Sequence, residues 1–193
     1  VALVGHNGAG KTTLAKHRNG LRTPGAGRVL IGGTDTRETT AADLAATVGL
    51  AFQAPEDQLF RPTVAEEVRF GPENLGLVDG DRAVTAALER VGLADEAATD
   101  TYELGRPARK RVALASVLAT RPEVLVLDEP TAGQDRDGVR VVGNVVEEAV
   151  DDGRLVVCVT HDAAFACAYA DRVVAMADGA AGADGLSPAA SPT

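Results

Sequence analysis

Sulfur, aromatic side chains and lysine are scarce in this chain. Its 193 residues include no tryptophan, two tyrosines, four phenylalanines, one methionine and two cysteines. Cys158 and Cys167 have neither the spacing of a disulfide framework nor that of a metal site, so we expect no cross-link and no structural zinc. We expect both to be small buried hydrophobic side chains, in a protein of a reducing compartment.

Positive charge and long apolar runs are also limited. The chain has 19 Lys and Arg residues against 28 Asp and Glu residues, which gives a net charge of −9. This acidic balance argues against a nucleic-acid partner. No apolar run approaches the roughly 20 residues of a membrane span, so the sequence predicts no membrane-spanning helix. The length allows one substantial core with room for a small subdomain.

What the chain does contain, at its start, is a complete phosphate-binding pattern, G-x-x-x-x-G-K-[ST]. It lies between the apolar run 1–4 and a helix predicted over 11–19. In this setting the loop N–H groups and the helix N-terminus converge on phosphate oxygens. Lys11 reaches the β- and γ-phosphates, and the Thr12 hydroxyl is placed to bind Mg²⁺. The alternative is a plain glycine-rich turn. We predict a nucleoside triphosphate site formed by Gly5, His6, Asn7, Gly8, Ala9, Gly10, Lys11, Thr12 and Thr13.

Polar side chains follow three further predicted strands. Strands alternate with helices along the chain, which predicts an α/β fold with a mainly parallel sheet. Ligands of such sheets bind at the carboxyl ends of the strands, so these side chains meet the phosphate loop if the strands are neighbours. We predict that Asp128 and Gln53 help Thr12 to hold Mg²⁺ and that Glu129 is the general base. His161 and Gln53 are predicted to sense the γ-phosphate, although each taken alone is a weak signal.

The predicted organisation is one main domain over residues 1–179, with a helical subdomain inserted over 63–121. The Ala/Gly/Ser/Pro-rich residues 180–193 are predicted to form a flexible tail. Thr63 is expected to cap a helix, and Glu66 three residues later completes a capping box. Further helices are predicted over 43–47 and over 108–120, the latter stopped by Arg121 and Pro122.

Together these motifs resemble the ATP-binding-cassette (ABC) ATPases, a family of phosphate-loop NTPases, over nearly the whole chain. The resemblance rests on the phosphate loop, Gln53, residues 125–133 (Leu-Val-Leu-Asp-Glu-Pro-Thr-Ala-Gly), Asp135 and residues 160–162 (Thr-His-Asp). The resemblance becomes more specific at residues 52–60 and 63–74. These two segments are similar to the ATPase subunits of energy-coupling factor importers, including the cobalt and biotin branches.

The resemblance implies an ATPase that uses ATP and Mg²⁺ and powers the uptake of a metal ion or a vitamin. It implies a head-to-tail homo- or heterodimer with a second ABC ATPase subunit, peripheral on the cytoplasmic face of the membrane. A transmembrane coupling subunit is expected to dock near Gln53–Gly71. In this family an aromatic residue that stacks on adenine precedes the phosphate loop, so we expect further strands and that residue upstream of Val1.

The signature motif departs from the family. Where the family has Leu-Ser-Gly-Gly-Gln, this chain has Leu104-Gly105-Arg106-Pro107-Ala108. The hydroxyl is lost, and Pro107 has no N–H to donate to a phosphate. One explanation is an asymmetric pair, in which this phosphate loop uses the intact signature of a partner. The other is a local shift of reading frame. The codons TCG GGC GGC CAG CGG encode Ser-Gly-Gly-Gln-Arg, and entered two bases late they read Gly-Arg-Pro-Ala.

Two other functions remain open from the sequence. One is a decayed subunit that holds ATP only to regulate its partner, and the intact Glu129 argues against it. The other is a soluble, non-transport ABC ATPase, such as a DNA-repair or translation factor. The acidic charge and the segment 52–74 argue against this second alternative.

Overall fold

Runs of valine, leucine and alanine build the central sheet of residues 1–186, the part of the chain that the computed structural model describes. The strands are β1 (Ala2–Val4), β2 (Leu30–Ile31), β3 (Thr34–Asp35), β4 (Val48–Ala51), β5 (Val124–Asp128), β6 (Leu155–Val159), β7 (Arg172–Ala177) and β8 (Ala180–Leu186). The main sheet has the order β4-β5-β6-β1-β7-β8. Its first five strands are parallel and β8 is antiparallel, whereas β2 and β3 form a separate hairpin.

Helices cover both faces of this sheet. They are α1 (Lys11–Arg18), α2 (Ala41–Leu44), α3 (Val64–Asn74), α4 (Gly80–Arg90), α5 (Arg106–Leu118), α6 (Arg136–Asp151) and α7 (Ala163–Tyr169). Successive residues of a strand face opposite sides. Leu125 and Leu127 of β5 therefore join the core formed with α3 to α6, while Val126 packs with Ala15 of α1 on the other face. Burial on both faces explains why β5 is apolar throughout before its terminal Asp128.

Helices α3, α4 and α5 pack against one another beside the sheet. The predicted capping box at the start of α3 is confirmed, because Thr63 Oγ1 accepts the Glu66 N–H and Glu66 Oε2 accepts the Thr63 N–H. Val64 and Val68 are fully buried. The core runs from α4 to α6 without a break, so the subdomain limits at 63 and 121 stay predictions. Within residues 1–186, no helix combines the length and apolar character needed to cross a membrane.

Two predicted helix positions were wrong. Helix α2 begins at Ala41 rather than at residue 43, because Thr40 and Asp43 form a capping box of their own. Helix α5 begins at Arg106 rather than at Ala108. Pro107 is accommodated in the first turn of this helix, where its missing N–H would have had no intrahelical partner.

The predicted start of the flexible tail at residue 180 was also wrong. Residues 180–186 form β8, which pairs with β7 and is tied to it by the Arg172–Asp184 ion pair. An edge strand is held by backbone hydrogen bonds on one side, so it needs no buried side chains, and all seven residues of β8 are exposed. The rest of the predicted tail, residues 187–193, lies outside the described residues.

Candidate functional site

The order of the sheet places the four predicted polar strand ends side by side. Strands β4, β5, β6 and β1 are consecutive neighbours and run parallel, so their carboxyl ends lie along one edge. An open cleft of about 310 Å³ at this edge is lined by residues 7–13 of the phosphate loop together with Gln53 and Glu129. These predicted site residues are thus brought together.

The phosphate loop has the backbone that its glycines permit. Gly10 has φ of 92°, in the left-handed region that favours glycine. Gly5 approaches β7 so closely that a Cβ would lie 2.3 Å from the Met176 carbonyl oxygen. The Lys11 ammonium is buried and donates to the carbonyls of Gly5 at 2.8 Å and His6 at 3.1 Å. An ammonium has three N–H donors, so one remains for a phosphate oxygen.

Thr12 and Asp128, which are predicted to bind Mg²⁺, are in direct contact. The Thr12 hydroxyl donates to Asp128 Oδ1 at 3.2 Å. Asp128 is only 3% exposed; this burial raises the pKa of its carboxyl, against the hydrogen bond from Thr12, and the charge of Glu129 adds to the rise. A cation beside the carboxylate would offset its desolvation, and oxygen donors are those that Mg²⁺ prefers. Within residues 1–186, no three His, Cys, Asp or Glu side chains lie close enough together to hold a metal ion by themselves.

Glu129 follows β5 directly and is held by neighbours on β6. Its N–H donates to the Val159 carbonyl at 2.8 Å, and its Oε2 lies 2.7 Å from His161 Nδ1. The main-chain N–H of His161 also donates to this Oε2, at 3.4 Å. Glu129 is buried, yet it lines the cleft together with the phosphate loop. A carboxylate in this position is able to take a proton from a water molecule in the cleft.

Comparison with known proteins identifies the family. The sequence profile of the ABC transporter family matches residues 1–132. This chain belongs to that family. It is 43% identical, over 93% of its length, to a protein of Methanosarcina acetivorans provisionally described as an ABC transporter ATP-binding protein, and it spans 30% of that protein. It is 41% identical, over 96% of its length, to the energy-coupling factor transporter ATP-binding protein EcfA1 of Methanospirillum hungatei, and it spans 68% of it.

A solved structure agrees with this assignment. The ABC chain resembles cbiO1 from Clostridium perfringens, part of the ABC transporter complex cbiONQ, with a TM-score of 0.84 and 35% identity. The match covers 96% of this chain and 76% of that one. The predicted family and the phosphate-loop ABC ATPase fold are thereby confirmed.

The departure from the ABC signature changes the start of α5. Gly105 occupies the N-cap position and has no side chain to accept an N–H of the first turn. Pro107, within that turn, has no N–H. Arg106 is exposed, and its Nε lies 3.6 Å from Glu56 Oε1. This helix therefore presents fewer donors and more side-chain bulk than a Ser-Gly-Gly start would give.

Two further residues of the ABC chain hold the segment after β4 in place. Gln58 is the first. Its Oε1 accepts the Phe52 N–H at 3.1 Å, and its Nε2 donates to the Ala113 carbonyl at 2.8 Å and to Ser116 Oγ at 2.9 Å. Gln58 thus ties the residue before Gln53 to α5. No pattern in the sequence indicates this contact, because it depends on how α5 packs.

The second is Glu67 on α3. It is 2% exposed, and its Oε2 accepts the N–H groups of Phe60 at 2.8 Å and Arg61 at 2.7 Å. The Arg61 guanidinium in turn lies over the rings of Phe60 and Phe70. A sequence signal for Glu67 did exist, since it lies three residues after the buried Val64 and so falls on the inner face of α3.

Proposed function

We propose that this ABC subunit hydrolyses ATP to drive a membrane importer of the energy-coupling factor type, for a metal ion or a vitamin. The observation that carries the proposal is the meeting of the phosphate loop, Asp128 and Glu129 at one edge of the sheet, with Thr12 Oγ1 only 3.2 Å from Asp128. The class of importer is supported by the similarity to EcfA1 and cbiO1.

Each residue of the cleft has a proposed task. Bound MgATP supplies the phosphoanhydride bond that water breaks. The N–H groups of residues 5–13 and the Lys11 ammonium bind the phosphates, and Thr12 and Asp128, with Gln53, hold Mg²⁺. Glu129 accepts the proton of the attacking water. His161, at 2.7 Å from this carboxylate, keeps it turned towards the cleft and, with Gln53, responds to the γ-phosphate.

Two partners follow from this proposal. One is a second ABC ATPase subunit, and the degenerate start of α5 favours an asymmetric pair in which that partner supplies an intact signature. The other is a transmembrane coupling subunit that docks near Gln53–Gly71 and keeps the ATPase at the cytoplasmic face of the membrane. The exposed Phe60 ring and the Arg61 side chain stacked on it give this segment the aromatic and arginine contacts typical of interface cores.

The test is purification of the chain together with a second ABC ATPase and a transmembrane subunit from the same genome. We expect co-purification and ATP hydrolysis, and we expect Glu129→Gln to lower kcat about 100-fold or more while MgATP still binds. Glu123→Gln is the matched control, because Glu123 is exposed at the opposite end of β5. A Glu129→Gln complex as active as Glu123→Gln would contradict the assigned base. Hydrolysis without association with any membrane subunit would favour a non-transport ABC ATPase.

The signature departure is tested separately, by resequencing the coding DNA across Leu104–Arg111. If Gly-Arg-Pro-Ala stands, the chain alone should hardly hydrolyse ATP and a partner with an intact signature should restore turnover. A homodimer that turns over at the normal rate would contradict the asymmetric pair. If Ser-Gly-Gly-Gln returns, the departure is a reading-frame artefact and both composite sites of a homodimer can work.

A further inference from the structure

The turn that carries Glu129 is strained and closely held. Glu129 has φ of 49°, a conformation that costs a non-glycine residue on the order of 1–3 kcal/mol and persists only where the surroundings enforce it. Pro130 follows, and the Ala132 N–H closes the turn by donating to the Glu129 carbonyl at 3.2 Å. The direction of the Glu129 carboxylate therefore depends on what fixes this turn.

Lys110 of α5 reaches the turn from another part of the chain. Its ammonium donates to the Glu129 carbonyl at 2.7 Å and to the Ala132 carbonyl at 2.9 Å, so it holds both ends of the turn at once. It is one of only three lysines in the sequence. Burial lowers the pKa of Lys110, and the charge of Arg106 adds to this, while the nearby carboxylates of Glu129 and Asp128 oppose it. A cation is thus kept in a half-buried place, where these two backbone oxygens and the nearby carboxylates offset its desolvation.

A second contact joins the same two segments. The Gln134 side chain, just beyond the turn, donates through Nε2 to the Pro107 carbonyl at 3.0 Å. Helix α5 is thereby attached to the chain after β5 both at its first turn, through Pro107, and one turn later, through Lys110. A displacement of the start of α5 would be transmitted to the backbone of Glu129.

We propose that Lys110 is a positioning residue of ATP hydrolysis, which fixes the turn from which Glu129 faces the phosphate loop. This inference rests on the proposed function, because it assumes that Glu129 is the base. Lys110 acts through Glu129 and has no contact with the cleft, whose lining comprises residues 7–13, Gln53 and Glu129. Its loss should slow the chemical step and leave nucleotide binding intact.

The experiment compares Lys110→Met, which keeps the length of the stem and removes the ammonium, with Arg111→Met. Arg111 is the next residue of α5 and donates instead to the Val91 carbonyl, away from the turn. Each variant is prepared in the complex with its ABC and transmembrane partners, in the wild-type and in the Glu129→Gln background. Hydrogen exchange of residues 129–134 is measured without nucleotide, and MgATP affinity, KM and kcat are measured with it. Should Lys110→Met fail to fold, Lys110→Gln takes its place.

We expect Lys110→Met to lower kcat about 10- to 100-fold with KM and MgATP affinity within about threefold of wild type, because a misplaced catalytic group loses rate without losing binding. In the Glu129→Gln background the same change should cost less than about threefold, since the two residues act as one unit. Exchange at residues 129–134 should accelerate in Lys110→Met and stay unchanged in Arg111→Met.

Three results would overturn the inference. They are an unchanged kcat in Lys110→Met, an equal loss in both backgrounds, and a loss that Arg111→Met reproduces. Failure of the proposed function would look different: kcat of the Glu129→Gln complex itself would equal that of the wild type. In that event faster exchange in Lys110→Met would still establish that Lys110 holds the turn, while its role in hydrolysis would be refuted.

Discussion

Replacing Glu67 should lower the free energy of unfolding, because Glu67 holds the segment around Phe60 and Arg61 that leads into α3. The size of the loss follows from its two hydrogen bonds to that segment. Its buried carboxylate accepts the N–H groups of Phe60 and Arg61 at 2.8 and 2.7 Å. Glu67→Leu leaves both donors without a partner, and each unsatisfied donor costs about 1–3 kcal/mol. Phe60 is exposed, so water can partly satisfy its N–H group in the variant. We therefore expect a loss of about 2–5 kcal/mol in the free energy of unfolding. Glu67→Gln keeps an acceptor oxygen without the charge and should lose about 1–2 kcal/mol.

Urea unfolding followed by circular dichroism measures this, with the slope m expected to stay constant because the folded surface does not change. Glu73→Gln serves as the control, since Glu73 is an exposed residue of the same helix and should stay within about 0.5 kcal/mol of wild type. Amide exchange at Phe60 and Arg61 should accelerate in Glu67→Leu. A Glu67→Leu variant as stable as the control would refute the reasoning.

Three further predictions concern other parts of the molecule. Gly143→Ala should lower Tm, because its Cβ would lie 2.2 Å from Cζ of Tyr169, an overlap that costs about 1–3 kcal/mol; an unchanged melting curve would contradict this. Burial raises the pKa of Cys158 to about 12, so iodoacetamide at mildly alkaline pH should label it only after unfolding. Mass spectrometry separates this residue from the exposed Cys167, and fast labelling of Cys158 itself in the native protein would refute the burial. The hydrogen bond from Arg37 lowers the pKa of Asp35 from 3.8 to about 2. The stabilising contribution of this pair is therefore complete above the unfolded pKa and is lost as the pH falls through about 2. The stability difference between wild type and Asp35→Asn should close over that interval, whereas a difference independent of pH would count against the pair.

The parts of the fold that local chemistry determines could be predicted from the sequence. The continuous apolar run before Asp128 indicates a strand buried on both faces, and such strands belong to parallel sheets. The capping box of Thr63 and Glu66 satisfies N–H groups within three residues, so its spacing is visible in the chain. The convergence of the strand ends followed from the same assumption of a parallel sheet. The structure then showed that β4, β5, β6 and β1 are neighbours in the sheet, which this convergence requires.

The contacts that tertiary packing determines could not be predicted. The hydrogen bonds of Lys110 join residues 19 and 22 positions apart, and those of Gln58 to α5 join residues 55 and 58 positions apart. Neither has a local pattern, since both depend on where α5 lies. The positive φ of Glu129 is similarly imposed by its surroundings. The start of α5 at Arg106 was also missed, although a proline such as Pro107 is compatible with the first turn of a helix.

The strand order also has a consequence for how the protein is made. Strand β1 leads into the phosphate loop, yet its partners on either side are β6 and β7, which the ribosome completes only near residues 159 and 177. Until then β1 is an apolar strand with two unpaired edges, the kind of segment that chaperones protect from aggregation. Nucleotide therefore cannot guide the early stages of folding. It stabilises the protein only after β6 and β7 have been synthesised and have paired with β1.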